Sequence, residues 1–162
     1  MRATSSAGNP ALAPGQKGDP LGHLEKLKPL ALLLMRCALG IIFIFHGYPK
    51  LFGHTANTQQ FFSHVGLHPS LVYVVGVLEL FGGGLLIIGL FTRLVGLLLT
   101  IEMGVAIWKV HLAHGILSVK DYEFPLTVAV PAFTLAAVGA GVISLDQPIF
   151  HSRRKSKAKT RD

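Results

Sequence analysis

Three charged side chains, Arg36, Glu79 and Glu102, each lie well inside an apolar stretch of this sequence. An ionisable group at membrane depth costs roughly 2.5–3.5 kcal/mol on insertion scales, so each of the three needs a partner or a function. Counted at 1.5 Å per residue from the helix ends expected to be cytoplasmic, their depths are about 12 Å for Arg36, 14 Å for Glu102 and 18 Å for Glu79. The three charges are therefore expected to form one polar layer.

An arginine fork can bind one carboxylate and still reach a second acceptor, so we expect Arg36 to contact Glu79, Glu102 or both. Lys109 follows Glu102 by seven residues, on the same helical face, and extends the polar stripe outward. Two interpretations of this intramembrane polar cluster stay open. It is either a polar clamp that holds the helix register or a core that handles protons or binds a ligand.

A second polar group, the external cup, is predicted at the opposite ends of the helices. Imidazole, phenol and carboxylate groups there could exchange protons near neutral pH, or could simply anchor the membrane interface. The spacing of two of the histidines would suit a metal, but no carboxylate–histidine motif accompanies them, so no metal is predicted. The cup consists of His46, Lys50, His111, His114, Tyr122 and Glu123.

The elements that must position these groups are four apolar stretches, each about long enough to cross a bilayer as a helix. Hydrophobic residues make up 51% of the 162-residue chain and charged residues 14%, against about 25% charged residues in soluble domains. The sequence therefore predicts an all-α, four-transmembrane-helix bundle with antiparallel up-down neighbours. The predicted spans are 28–48, 71–91, 93–113 and 125–145.

Two tails flank this predicted membrane domain of residues 27–146. Residues 1–26 are rich in Gly, Pro and Ser and are expected to be disordered, and residues 147–162 form a basic tail. Eleven of the 15 Lys and Arg residues lie in these tails, at Lys28 beside the first tail or in the turn at Arg93, which predicts that both termini are cytoplasmic. The net charge of +7 then indicates contact with an anionic lipid leaflet rather than with nucleic acid.

These features together resemble the DoxX family of small four-helix bacterial membrane proteins. The resemblance covers residues 28–146 and implies a multi-pass protein of the bacterial inner membrane with cytoplasmic termini. Some members of the family are linked to quinone-dependent sulfur oxidation, and others to membrane complexes that resist oxidative or thiol stress. The matching segments are Arg36-x-x-x-Gly40, Phe43-x-x-His46-Gly47-x-x-Lys50-x-Phe52-Gly53, Glu79-x-x-Gly82-Gly83, Gly89-x-x-Thr92-Arg93, His114-Gly115 and Tyr122-Glu123-Phe124-Pro125-Leu126.

Three functions remain open at this stage. The chain is a subunit of a quinone-linked redox or stress-response complex, a small solute or proton carrier, or a membrane scaffold without chemistry of its own. No cofactor is evident in the sequence, since it has no Cys cluster and no convincing haem ligand pair, so electrons would need a quinone or a partner subunit. A quinone site should be an apolar side pocket that ends at His46 or His111, whereas a carrier should show a continuous polar path.

Overall fold

The computed structural model describes residues 22–111 and 119–149, and the regular secondary structure of these residues is helical. A π-helical segment over Ile107–His111 extends α5. The helices are α1 (Gly22–Glu25), α2 (Lys28–Phe52), α3 (Thr55–His64), α4 (Leu71–Ile88), α5 (Thr92–Ala106) and α6 (Val119–Val138).

Two of the described helices, α2 and α4, are long and apolar enough to cross a membrane. The helix surfaces are apolar as well: Phe45 on α2 is 75% exposed, Phe81 on α4 63% and Phe133 on α6 58%. By contrast, the charged side chains of Arg36 and Glu79 are only 1% and 2% exposed. Large apolar side chains on the outside and charges on the inside suit lipid as the surrounding solvent.

The helices pack as two pairs, α2 with α4 and α5 with α6, and the pairs meet through α4–α5 and α2–α6 contacts. Glycines bring the helix backbones together in both pairs, as is common for helices that associate in lipid. A Cβ on Gly40 of α2 would lie 2.5 Å from the carbonyl oxygen of Gly83 of α4. A Cβ on Gly96 of α5 would lie 2.7 Å from the carbonyl oxygen of Ala132 of α6.

The observed helix bounds differ most from the predicted ones in α6. This helix begins at Val119 and ends at Val138, whereas the predicted span was 125–145. Pro125 therefore lies inside the helix and not in its first turn. The end at Val138 has a clear cause, because Gly139 and Gly141 adopt φ values of 92° and 78°, which a helix cannot contain.

The predictions for the two tails are only partly covered by the structure. Residues 1–21 and 150–162 fall outside the described residues. Residues 22–25, within the tail expected to be disordered, form α1, and the Nζ of Lys28 donates a hydrogen bond to the Glu25 carboxylate at 2.6 Å. In the predicted connection between the first two spans, residues 55–64 form α3.

Residues 139–149 fold across the turn between α4 and α5, and we call this segment the clasp. The Asp146 carboxylate accepts hydrogen bonds from the backbone N–H groups of Phe91, at 2.7 Å, and Thr92, at 2.9 Å. The Asp146 N–H in turn donates to the Gly89 carbonyl oxygen at 2.9 Å. A carboxylate thus caps the start of α5, where the helix dipole favours negative charge.

Replacing Asp146 with alanine is expected to lower the free energy of unfolding by about 1–2 kcal/mol, because two backbone donors at the start of α5 lose their acceptor. Thermal unfolding of the purified protein in detergent would measure this change. Asp146→Asn, which keeps one acceptor oxygen, should lose less than Asp146→Ala. Equal losses in both variants would show that the cap does not contribute.

Candidate functional site

A polar site lies where α2, α4 and α5 meet, and it consists of Lys50, Glu79 and Glu102. The close approach of α2 and α4 positions its first two members. A Cβ on Gly47 would lie 2.5 Å from the backbone nitrogen of Leu80 and 2.9 Å from the Cβ of Glu79. Lys50 follows Gly47 by three residues, so it points along the same face toward Glu79.

The three side chains of this site lie near one another, and we call them the Lys–Glu–Glu triad. The Nζ of Lys50 donates to Oε2 of Glu79 in an ion pair, where the side chain of Lys50 is 22% exposed and that of Glu79 only 2%. The carboxyl group of Glu102 lies near that of Glu79, close enough for the two to interact electrostatically. Lys50 therefore forms the outer edge of the triad and the two carboxyl groups its buried interior.

The proximity of the two carboxyl groups has a chemical consequence. Two neighbouring ionised carboxylates repel each other, so the buried pair favours holding one proton between its two members. With that proton, the triad carries one positive and one negative charge and is neutral overall. Neutrality makes the buried site compatible with a low-dielectric surrounding. Oε2 of Glu102 is buried without a hydrogen-bond partner in the described structure.

Arg36 does not occupy the position that the sequence predicted for it. Its Nη2 donates to the carbonyl oxygen of Ile143 in the clasp, and no hydrogen bond or ion pair joins Arg36 to Glu79 or Glu102, all of which lie in the described residues. Its Nε and Nη1 are buried without a hydrogen-bond partner there. The expectation that Arg36 contacts one of the glutamates is therefore wrong.

The helix register explains this correction. Arg36 packs beside Gly89, at the end of α4, whereas Glu79 packs beside Gly47. Arg36 and Gly47 are eleven residues apart on α2, which is about 16 Å along the helix axis. The predicted depths of the three charges assumed that the helix ends lie in one plane. In the structure, the start of α2 extends along the helix axis more than one turn past the end of α4.

Lys109, which was predicted to extend the polar stripe outward from Glu102, contacts an aromatic ring. Its Nζ lies 4.9 Å from the centroid of the Trp108 ring, a cation–π contact. Lys109 belongs to the π-helical segment, where i→i+5 bonding changes the angular step per residue.

The predicted external cup is described in part. His46 Nδ1 donates to the Ile42 carbonyl oxygen at 2.8 Å, and the His46 ring stacks on Phe124 at 5.0 Å between centroids. This contact brings the end of α2 to the first turns of α6, where Tyr122 is half-buried and Glu123 exposed. His114 and the side chain of His111 lie outside the described residues, and Lys50 turns inward to Glu79.

The inward role of Lys50 was missed, although the sequence holds a signal for it. Gly47 precedes Lys50 by three residues on α2, and Gly76 precedes Glu79 by three residues on α4. A glycine one turn from each of two opposite charges marks a place where two helices can approach and pair those charges. In the structure the Cβ of a residue at Gly76 would indeed lie 3.3 Å from the Cβ of Lys50.

An apolar layer separates the triad from the polar groups around Arg36. Within the described core, this layer contains large side chains that are at most 3% exposed. The chain therefore has two separate polar levels rather than one continuous stripe. The layer is formed by Leu39, Phe43, Leu86 and Leu99.

Comparison with known proteins supports the family resemblance. A family model described as DoxX matches residues 31–112. A Bacillus subtilis (strain 168) protein named "Putative oxidoreductase CatD" is 33% identical over 131 residues, which are 81% of this chain and 96% of that protein. The inner membrane proteins YphA and YqjF of Escherichia coli (strain K12) are 32% and 31% identical, covering 74% and 76% of this chain and 91% and 95% of their own lengths. No solved structure matches the chain significantly.

Proposed function

Because this chain belongs to the DoxX family of membrane proteins, we propose that it is an inner-membrane subunit of a quinone-linked redox complex. In this proposal the Lys–Glu–Glu triad stores one proton and exchanges it with the quinone. The observation that supports the proposal is the proximity of the buried carboxyl groups of Glu79 and Glu102, next to the ion pair with Lys50.

The proposed chemistry balances as follows. Reduction of a quinone to a quinol takes two electrons and two protons. A partner protein supplies the electrons, and the triad delivers the protons one at a time to the quinone oxygens. Lys50, at the partly exposed edge of the triad, is the point at which a proton from water can reload the site. A general acid of this kind must hold its proton close to the reacting oxygen.

Two observations favour this function over the alternatives. The apolar layer between the triad and Arg36 interrupts the polar path that a solute or proton carrier would need. One relative carries the name "Putative oxidoreductase CatD", which agrees with a redox role. A pure scaffold would have no use for a proton between two buried carboxyl groups, although the same triad could then serve as a structural clamp.

Infrared difference spectroscopy would test the redox function. The full chain in native-lipid nanodiscs is mixed with menaquinone, which is then reduced electrochemically. Reduction should change the carboxylic-acid C=O band of the wild type, and Glu102→Gln should abolish that change because the shared proton loses one of its two carriers. Glu25→Gln, at an exposed carboxylate far from the triad, is the matched control and should keep the band.

Either of two results would contradict the redox function: a wild-type band that does not respond to quinone reduction, or an equal response in the wild type and Glu102→Gln. Both would leave the triad as a structural clamp in a scaffold protein.

We further propose four spans with cytoplasmic termini. The start of α2, the α4–α5 turn and the clasp lie at one end, since Arg36 bonds to Ile143 and Asp146 caps α5. The His46–Phe124 stack lies at the other end. The clasp end carries most Lys and Arg residues of the sequence, so it is the cytoplasmic one by charge bias. The spans are α2, α4, α5 with its π-helical extension, and α6.

Reporter fusions would check this topology. A fusion after Asp162 should give a cytoplasmic signal, and a fusion within α3 at Thr58 should give an external signal. The reason is that charge bias and an even number of spans place both ends of the chain on the inside. An external signal from the Asp162 fusion would refute the proposed orientation.

A further inference from the structure

A groove follows the outside of α5 and α6 from the clasp end toward the middle of the helices. Its upper part is a cavity of about 510 Å³ between the first turn of α5 and the clasp. Its lower part is a cavity of about 400 Å³ between the two helices. Arg93 and Leu94 line both cavities, so the two adjoin.

The upper cavity has the chemistry of an anion site. Arg93 is exposed, and its Nη2 donates to the Val138 carbonyl oxygen at 3.2 Å, which leaves most of the guanidinium donors for a ligand. Asp146 also lines this cavity, but both of its carboxylate oxygens accept backbone N–H groups at the start of α5. Among the described residues that line this cavity, Arg93 is thus the cation. The acidic residue beside it, Asp146, already accepts two backbone hydrogen bonds.

The lower cavity is apolar and runs along the helix axes. Leu97, one turn below Arg93, is 45% exposed, and Phe133 on the antiparallel helix is 58% exposed. Ala136 and Ala137 form a shallow floor between these larger side chains. One helical turn rises about 5.4 Å, so this lower cavity, which we call the trough, extends from the level of Arg93 toward the centre of the membrane. An acyl chain in the bilayer lies in the same direction.

We propose that this groove binds one anionic phospholipid, with its phosphate at Arg93 and an acyl chain between Leu97 and Phe133. A free phosphate would use the upper cavity alone and leave the apolar trough unexplained, so the two-part lining favours a lipid. The basic residues that follow the clasp in the sequence, including Arg153 and Arg154, would enrich anionic lipid near this end. The lipid site is separate from the Lys–Glu–Glu triad and does not depend on its chemistry.

Native mass spectrometry would test the lipid site. The full chain in detergent is titrated with an equimolar mixture of phosphatidylglycerol and phosphatidylcholine. The wild type should bind phosphatidylglycerol preferentially. Arg93→Gln should reduce that preference about tenfold, the effect of one lost charge-assisted hydrogen bond, and Arg93→Lys should retain part of it.

A matched pair of variants tests the trough. Leu97→Trp fills it and should weaken retention of phosphatidylglycerol, whereas Leu98→Trp, at a neighbouring residue that is 39% exposed and lies outside the cavity linings, should not. Equal binding of both lipids by the wild type, or equal effects of the two tryptophans, would overturn the proposal. Displacement of phosphatidylglycerol by inorganic phosphate, with no effect of Leu97→Trp, would show an anion site without a lipid and would overturn it as well.

Discussion

Gly47→Ala is expected to lower the free energy of unfolding by about 3 kcal/mol, the upper end of the usual cost of overpacking. The added methyl group would lie 2.5 Å from the backbone nitrogen of Leu80 and 2.8 Å from the carbonyl oxygen of Gly76. Backbone atoms of α4 cannot move aside singly, so the whole of α2 must shift away from α4. The shift would also separate Lys50 from Glu79.

Gly84→Ala is the matched control for this prediction. Gly84 lies in the interior of α4, but a Cβ there would meet no atom within 4 Å. The same substitution should therefore leave stability unchanged or raise it by up to about 1 kcal/mol through helix propensity. Unfolding of both variants in mixed micelles, followed by circular dichroism, would measure the difference. If the two variants unfold alike, the α2–α4 contact is not as close as the structure has it.

Lys50→Met is expected to destabilise the protein by about 3–5 kcal/mol, the usual cost of leaving one partner of a buried ion pair without the other. Glu79 is 2% exposed and would keep a charge that no other described cation contacts. The double variant Lys50→Met/Glu79→Gln should recover most of the loss, because a neutral amide costs less to bury than an unpaired carboxylate. A double-mutant cycle of unfolding free energies would measure this coupling.

The control for this cycle is Lys28→Met. Lys28 also forms an ion pair, with Glu25, but both side chains are more than two-thirds exposed. Exposed pairs contribute little, so this variant should unfold like the wild type. Additive effects of Lys50→Met and Glu79→Gln, with no recovery in the double variant, would show that the ion pair is not energetically coupled.

The Lys50 predictions concern the ion pair of Glu79. The sequence indicated that this buried carboxylate needs a partner, but it did not identify Lys50 as the cation. A charge inside an apolar stretch is visible in the sequence, and Glu79 and Glu102 were expected to share one polar layer. The structure places their carboxyl groups near each other. Composition likewise sufficed for the all-α class and the membrane setting, because lipid-facing helices must be apolar over their whole length. The resemblance to the DoxX family, drawn from spaced motifs, is confirmed by the matching family model.

Only the tertiary structure decided which cation pairs with the glutamates. The choice between Arg36 and Lys50 depends on how far α2 is displaced along its axis relative to α4. That displacement is set by the contacts of Gly40 with Gly83 and of Gly47 with Gly76, and it cannot be counted from helix ends. The cap of α5 by Asp146 was equally invisible, because 54 residues separate Asp146 from Thr92. A partner so far away in sequence is specified by the packing of the whole chain and by no local pattern.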